Sequence, residues 1–229
     1  LAVGAVVGAL NGLLVTVAVV PAFIATLATM TAVRGVALLV TDSSPVSIPD
    51  GPYLRIGLGD VFGVPIPVII MAVVFGLGYL VLHRMKIGRR IYAVGGNPEA
   101  ARLAGIRVNR VLMFVYVFGG ICVAISALIL SSRLSSGQPA GSVGLELDVI
   151  AAVVVGGVAI FGGSGTVYGA ALGALLLSSI TSALAVLRVD ALAQTAINGA
   201  LIITAIVLDR VLALRVAAAL RRRRYRDAR

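Results

Sequence analysis

The sequence contains very few of the residues on which metal sites and nucleotide hydrolysis depend. Its 229 residues include one cysteine, one histidine and one lysine, Lys86. The single cysteine, Cys122, excludes an internal disulfide, and one cysteine with one histidine is too small a ligand set for a zinc site. A phosphate-binding loop ends in Gly-Lys-Ser or Gly-Lys-Thr, and the surroundings of Lys86 lack this pattern. We therefore expect this chain to bind neither a metal nor ATP by itself.

Ionisable groups are also scarce inside the apolar segments. The nine acidic residues lie outside these segments or at their ends, and His83 lies at a segment end. Proton-coupled carriers usually hold such a group within the membrane, so this class is disfavoured. No serine or threonine in these segments has a nearby base or carboxylate, so enzyme chemistry is not expected. A carrier that binds sodium through backbone carbonyl oxygens is still an alternative.

Apolar side chains are abundant. They make up 60% of the chain, charged residues make up 12%, and the mean hydropathy is +1.10. A soluble domain carries about a quarter charged residues, whereas a membrane-spanning helix needs about 20 mostly apolar ones. No segment alternates apolar and polar residues as barrel strands do. The composition therefore predicts an all-α, polytopic transmembrane helical bundle.

The apolar segments predict about seven crossings in a membrane domain over residues 1–209. Pro21 separates the first two segments, and Gly162–Gly165 divides a segment that is too long for one span. The piece 149–162 is short, so a full crossing and a re-entrant half-helix both stay open. Because Leu1 lies inside an apolar run and is not methionine, we expect further spans upstream. The predicted spans are 1–20, 21–41, 65–83, 111–131, 149–162, 165–187 and 192–209.

Basic residues are concentrated in two places. Residues 83–110 carry six arginines and Lys86 against Glu99 alone, and the tail over 210–229 carries eight arginines. Basic loops stay in the cytoplasm, and an even number of predicted crossings separates these two segments, so the loop 84–110 and the tail are both predicted to be cytoplasmic. Membrane topology thus accounts for the net charge of +10, and no nucleic-acid partner is expected.

Two runs of glycines recur at every fourth residue, which places each run on one face of a helix. Such faces allow a neighbouring backbone to come close, so we expect tight helix packing within the subunit or between subunits. The lining of a narrow substrate path is the alternative. The runs are Gly4, Gly8 and Gly12, and Gly165, Gly169 and Gly173.

Residues 97–105 predict a two-turn helix within the basic loop. Asn97 is a good N-cap, Pro98 suits the first helical position, and Glu99 suits the positive N-terminal end of a helix. Gly105 is a natural C-terminal stop. The residues between them are mostly small and suit insertion into a groove of another protein. On these residues alone, a connector whose arginines only set the topology is an equal alternative.

Several stretches resemble the permease subunits of bacterial ATP-binding-cassette importers for monosaccharides of the ribose and xylose type. They are GALNGLLVT, PAFIATLATMTAVRGVALLVT, GRRIYAVGGNPEAARLAGIRVNRV and SSGQPAGSVGLELDVIAAVVVGGVAIFGGSGTVYGAALGALL, followed by the basic tail after IVLDR. They occur in the family's order and cover nearly the whole chain. The resemblance implies an inner-membrane transport subunit.

In that family, the Glu-Ala-Ala-like stretch is a coupling helix that docks into a groove of the ATP-binding subunit. The resemblance therefore implies a homodimeric permease that imports a monosaccharide by alternating access. ATP and Mg would bind to the partner ATP-binding subunits, and a periplasmic binding protein would deliver the sugar. A self-powered carrier or channel for a small polar solute and a membrane scaffold are the alternatives. Carried onto this sequence, the docking residues are Asn97, Pro98, Glu99, Ala100, Ala101, Arg102, Leu103, Ala104 and Gly105.

Polar residues within or near the spans are candidates for the substrate path. A charged side chain in a span, such as Arg34, is a functional candidate, although its place near the span end also permits snorkelling. A neutral sugar needs amide and hydroxyl partners, but the same groups suit hydrogen bonds between helices. The path candidates are Asn11, Thr16, Arg34, Gln194 and Asn198. The candidates to face a binding protein are Gln138, Glu146 and Asp148.

Overall fold

The computed structural model describes residues 1–160, 162–190, 193–194, 196–197, 199–200, 203–204 and 207. Helices dominate this part of the chain, with four two-residue strands between them. The helices are α1 (Ala2–Thr16), α2 (Ala22–Val40), α3 (Arg55–Leu58), α4 (Ile66–Tyr79), α5 (Lys86–Gly96), α6 (Pro98–Leu103), α7 (Val108–Leu134), α8 (Leu145–Val155) and α9 (Val167–Val186). The strands are β1 (Val46–Ser47), β2 (Asp60–Val61), β3 (Val64–Pro65) and β4 (Ser136–Gly137), and they pair antiparallel as β1–β4 and β2–β3. A 3-10 turn covers Pro52–Leu54, and a π-helical turn covers Leu80–Arg84.

Four helical stretches among the described residues are long and apolar enough to cross a membrane, which confirms the all-α membrane class. They are Ala22–Val40, Ile66–Arg84, Val108–Leu134 and Val167–Val186.

The number of crossings stays a prediction. Helix α8 has 11 residues and therefore rises only about 16 Å, against a hydrocarbon core of about 30 Å. The predicted span 192–209 lies largely, and the tail 210–229 wholly, outside the described residues.

The contacts divide the chain into two units, Leu1–Val143 and the part from Gly144 onward. In the first unit, α1 and α7 cross with their backbones in contact. A methyl group at Gly4 would overlap the carbonyl oxygen of Gly120, and one at Gly8 would overlap the preceding turn of α7. At Gly12 a methyl group would lie 2.7 Å from the Met113 sulfur. The order of these contacts shows that α1 and α7 are antiparallel, and it places this glycine face inside one chain.

In the second unit, α8 and α9 pack through another glycine face. A methyl group at Gly169 or Gly173 would overlap a carbonyl oxygen at the end of α8. Gly165 differs from the prediction, because it lies before the helix with a φ of +136°. Helix α9 begins only after Thr166, whose hydroxyl oxygen accepts a hydrogen bond from the Gly169 amide at 3.0 Å. Gly169 and Gly173 therefore form the helix face, and Gly165 allows the turn into it.

The connection between α2 and α4 is attached to the end of α7. Ser132 is fully buried, and its hydroxyl donates to the Tyr53 carbonyl oxygen at 2.9 Å. The Ser132 hydroxyl oxygen also accepts a hydrogen bond from the Gly57 amide at 2.8 Å. Pairing of β1 with β4 adds a second attachment. The ends of α2 and α7 are thereby held on the same side of the first unit.

Candidate functional site

Helix α6 has the capped ends that its sequence predicts. Asn97 Oδ1 accepts a hydrogen bond from the Ala100 amide at 3.0 Å. At the other end Gly105 has a φ of +80°, and the Ile106 amide donates to the Ala101 carbonyl oxygen at 3.0 Å. These bonds satisfy backbone groups that a short helix leaves open at its ends. The sequence therefore gives this short helix a defined shape.

One side of α6 is buried and the other side projects from the unit. Ala101 is 4% exposed and packs with three valines of α5 and α7. Leu103 is 89% exposed, although it is a large apolar side chain. Ala101 therefore anchors the helix within the unit, and its predicted place among the docking residues stays a prediction. The other eight residues of the stretch 97–105 are exposed.

The projecting side of α6 combines charge with an apolar tip. The Arg102 guanidinium donates to Glu99 Oε1 at 3.3 Å, and both side chains are well exposed. An exposed pair of this kind contributes at most about 1 kcal/mol to stability. We call Glu99, Arg102 and Leu103 the docking ridge.

Sequence reasoning misses helix α5, which supports the docking ridge from behind. Its residues Ile87, Ile91 and Val94 recur at helical spacing and belong to the apolar cluster that also holds Ala101. That spacing is the signal that could have found the helix, although two glycines at its end obscure it. Because the cluster also includes Val108 at the start of α7, α6 is fixed to a spanning helix.

A cavity of about 930 Å³ lies between α1, α2 and α7. This volume falls within the range of roughly 300–1,000 Å³ that is usual for small-molecule sites. Its lining is mostly apolar with a few polar groups, which is the composition typical of such sites. The polar lining residues are Asn11, Thr26, Thr29, Arg34, Tyr116, Ser131, Gln138 and Ser142.

Asn11 and Thr29 meet at this cavity across α1 and α2. The Thr29 hydroxyl donates to Asn11 Oδ1 and also lies 2.5 Å from the Ala25 carbonyl oxygen. A hydroxyl has one proton, so only one of these oxygens can accept it at a time. Asn11 Nδ2 makes no hydrogen bond within the described residues, so its two protons are available to a ligand. The pair is thus both a link between helices and a polar group facing the cavity.

Arg34 lines the cavity closer to the end of α2. Its side chain is half-buried and has neither an ion-pair partner nor a hydrogen bond within the part of the chain that the structure describes. The guanidinium offers five N–H donors. Ser131 and Gln138 line the cavity where α7 ends, on the same side. This end of the cavity therefore combines a strong donor with hydroxyl and amide groups.

The part that the other three predicted path residues play in substrate passage stays a prediction. Thr16 donates to the Gly12 carbonyl oxygen at 2.6 Å, at the end of α1 where Asn109 of α7 contacts its backbone. Gln194 belongs to the second unit and donates to the Val189 carbonyl oxygen at 2.8 Å. Asn198 lies outside the described residues.

Thr29 and Gln138 gain roles that their sequence context does not indicate. Gln138 lines the cavity, and its predicted contact with a binding protein stays a prediction. Neither residue has a local motif, because their positions depend on how α1, α2 and α7 pack. Glu146 and Asp148, the other candidates for that outward role, lie in the first turn of α8.

Comparison with known proteins shows a match over most of the chain. The family described as branched-chain amino acid transport system / permease component matches residues 1–206. The ribose import permease protein RbsC of Haemophilus influenzae is 41% identical over 216 residues, which are 93% of this chain and 67% of that protein. The RbsC protein of Bacillus subtilis is 41% identical over 202 residues, 87% of this chain and 63% of that protein.

A permease named for another sugar is nearly as similar. The L-arabinose transport system permease protein AraH of Escherichia coli is 38% identical over 203 residues, which are 87% of this chain and 61% of that protein. The chain thus spans about two thirds of the length of these relatives. No solved structure matches it.

Proposed function

Because this chain belongs to the permease family of the branched-chain amino acid transport type, we propose that it is the membrane-spanning subunit of an ATP-driven importer. The sequence-based resemblance to ribose-type permeases is confirmed by its relatives, as is the assignment to transport rather than enzyme activity. The proposed substrate is a monosaccharide of the ribose or xylose type, since the relatives named above are ribose and arabinose permeases. It crosses the inner membrane by alternating access.

The observation that carries this proposal is the docking ridge. Leu103 is 89% exposed at the tip of a helix whose ends are capped and whose base is buried. An apolar side chain held rigidly in this way suits insertion into a groove of another protein. We assign that groove to an ATP-binding subunit, which would hold the ATP and Mg.

The packing of α6 also supplies a route from the docking ridge to the cavity. Ala101 lies against the valines that begin α7, so a displacement of α6 moves the start of that helix. Further along, α7 contributes Tyr116 and Ser131 to the cavity lining. A movement driven by ATP at the docking ridge would therefore change the shape of the cavity through one continuous helix.

The cavity is the proposed sugar path. Asn11 and Arg34 offer N–H donors that have no partner within the described residues, and Ser131 and Gln138 add groups that both donate and accept. Sugar hydroxyls need partners of both kinds. The apolar remainder of the lining suits the C–H faces of the sugar ring.

The basic loop sets the proposed orientation. Residues 84–110 and the tail face the cytoplasm, where the ATP-binding subunits lie. The ends of α2 and α7, with Arg34 and Gln138, then face the periplasm, where a sugar-binding protein docks. A second copy of the chain completes a homodimer in the bilayer.

The first test is capture of the ATP-binding subunit by the tagged, full-length protein. Leu103→Arg and Glu99→Arg are expected to abolish capture, because they place charge and bulk on the docking ridge. Leu58→Arg is the matched control, since Leu58 is also an exposed leucine, at 62%, but lies in the connection between α2 and α4. Size-exclusion chromatography verifies that each variant is folded.

Transport measurements separate this proposal from its rivals. Proteoliposomes with the permease alone should not take up ribose, and uptake should require ATP and the partner subunits. Uptake driven by an ion gradient without the ATP-binding subunit would instead show a self-powered carrier. Retention of capture by Leu103→Arg would contradict the docking role of α6.

A further inference from the structure

Helix α5 carries a basic face that the proposed coupling role does not use. Lys86, Arg89 and Arg90 are spaced i, i+3 and i+4, which places them together on one side of the helix. All three are exposed. The apolar residues of α5 occupy a different side, where Ile87 and Ile91 pack against the cluster around Ala101. Packing of the buried apolar side of α5 therefore fixes the direction of its basic face.

No carboxylate neutralises this face within the described residues. The ion pair found there joins Arg102 to Glu99 on α6, and residues 83–98 contain no aspartate or glutamate. Three neighbouring cations without counter-charges repel one another and attract anions. The face is thus suited to a partner that presents several negative charges.

Two spanning helices place α5 at the membrane boundary. The apolar stretch Ile66–Arg84 ends two residues before α5 begins, and the extended residue Met85 breaks the helix between them. A methyl group at Gly88 would overlap the backbone of Leu82, so α5 folds back against the end of the preceding span. On its other side, α5 packs against Val108, the first residue of α7.

We propose that the basic face of α5, formed by Lys86, Arg89 and Arg90, binds the phosphodiester headgroups of anionic phospholipids such as phosphatidylglycerol. The bilayer surface is the source of negative charge that lies nearest to a helix held between two span ends. The docking ridge on α6 projects separately and offers the protein partner its own apolar contact. Each basic residue near an anionic bilayer strengthens association roughly fivefold, so three together have a large effect.

The test locates lipid contact along the full-length chain. The protein is reconstituted in phosphatidylcholine vesicles that contain phosphatidylglycerol with a photoactivatable headgroup, and labelled peptides are identified after chymotryptic digestion. Labelling of residues 83–96 is expected. It should be reduced by added unlabelled phosphatidylglycerol and not by added phosphatidylcholine. The arginine-rich tail is digested to other peptides, so its labelling is counted separately.

Substitutions then distinguish specific binding from net charge. Lys86→Gln with Arg89→Gln and Arg90→Gln is expected to lower labelling of this segment at least tenfold, by the same charge argument. The matched control replaces the exposed Arg55, Arg133 and Arg188 by Gln, which removes the same charge elsewhere and should leave the labelling unchanged. The pair Arg89→Gln and Arg90→Gln repeats the test if the triple variant does not fold. Lys86→Arg with Arg89→Lys and Arg90→Lys should retain the labelling, because charge rather than shape binds the headgroup.

The proposal is overturned by three results. Labelling of residues 83–96 that is equal in the triple glutamine variant and in the wild type would exclude binding by these side chains. An equal loss of labelling in the variant of Arg55, Arg133 and Arg188 would show that labelling depends only on the net charge of the protein. Loss of the ATP-binding subunit with unchanged lipid labelling would show that this face is a protein interface. Failure of the proposed function would appear separately, in the capture test with Leu103→Arg.

Discussion

Helix α6 and the cavity both present polar groups in an apolar chain, but different parts of the sequence determine them. The groups that shape α6 are neighbours in sequence: Asn97 caps it and Gly105 ends it. The polar groups of the cavity come from three helices, with Asn11 on α1, Thr29 on α2 and Ser131 on α7. Local capping therefore sets the bounds of α6, whereas the cavity exists only if the helices cross correctly.

The largest expected effect comes from breaking the crossing on which the cavity depends. Gly8→Ala would place a methyl group on the carbonyl oxygen of Tyr116, a backbone atom that cannot move aside cheaply. We expect a loss of about 1–3 kcal/mol of stability, the usual range for overpacking. Thermal unfolding of the detergent-solubilised protein measures this change.

Gly35 provides the matched control. It lies in α2, and a methyl group there would meet no atom of the described residues within 4 Å, apart from the backbone of its own helix. Gly35→Ala is expected to preserve stability or raise it by up to about 1 kcal/mol, the propensity difference between the two residues in a helix. Equal destabilisation by both substitutions would show that close contact between α1 and α7 is not what limits the first unit.

The next-largest expected effect distinguishes the buried side of α6 from its exposed side. Ala101→Leu adds volume inside the cluster of α5, α6 and α7, so it should cost about 1–3 kcal/mol of stability. Leu103→Ala removes an exposed side chain and should change stability by less than about 0.5 kcal/mol. Only Leu103→Ala should weaken capture of the ATP-binding subunit in a protein of normal stability. Thermal unfolding and capture, measured on the same samples, make this comparison.

Reversed results would contradict the assignment of the two sides. If Leu103→Ala destabilised the protein and Ala101→Leu did not, the buried and projecting faces of α6 would be exchanged. Normal capture with Leu103→Ala would remove the apolar tip from the docking contact.

Helix α6 and the cavity also show how much of the candidate site the sequence alone predicts. The bounds of α6 follow from Asn97 and Gly105, because capping acts over a few residues. The burial of Ala101 does not follow from the sequence of α6, because it depends on packing against α5. The helical pattern of α5 is obscured by its terminal glycines. At the cavity, Arg34 and Asn11 stand out as polar groups in apolar spans. Thr29 and Gln138 do not, because only the packing of separate helices brings them there.

A change within the cavity should affect transport and leave docking intact. Arg34→Gln removes the charge and three of the five N–H donors that Arg34 offers. We expect ribose uptake in proteoliposomes to fall roughly tenfold, which corresponds to about 1.4 kcal/mol, with capture of the ATP-binding subunit unchanged. Arg55→Gln is the control, since Arg55 is exposed and does not line the cavity. Equal uptake by Arg34→Gln and the wild type would remove Arg34 from the sugar path.

The smallest expected effect compares two helix caps of the same strength. Asn97 Oδ1 accepts from the Ala100 amide and Thr166 Oγ1 accepts from the Gly169 amide, each at 3.0 Å. Asn97→Ala and Thr166→Val should therefore each cost about 1 kcal/mol of local helix stability. Only the first cap shapes the docking ridge, so only Asn97→Ala should lower ATP-stimulated uptake and capture, and by a fewfold at most. If Thr166→Val lowered capture equally, the loss of capture would follow from reduced stability of the whole protein. The result would then not support α6 as the docking element.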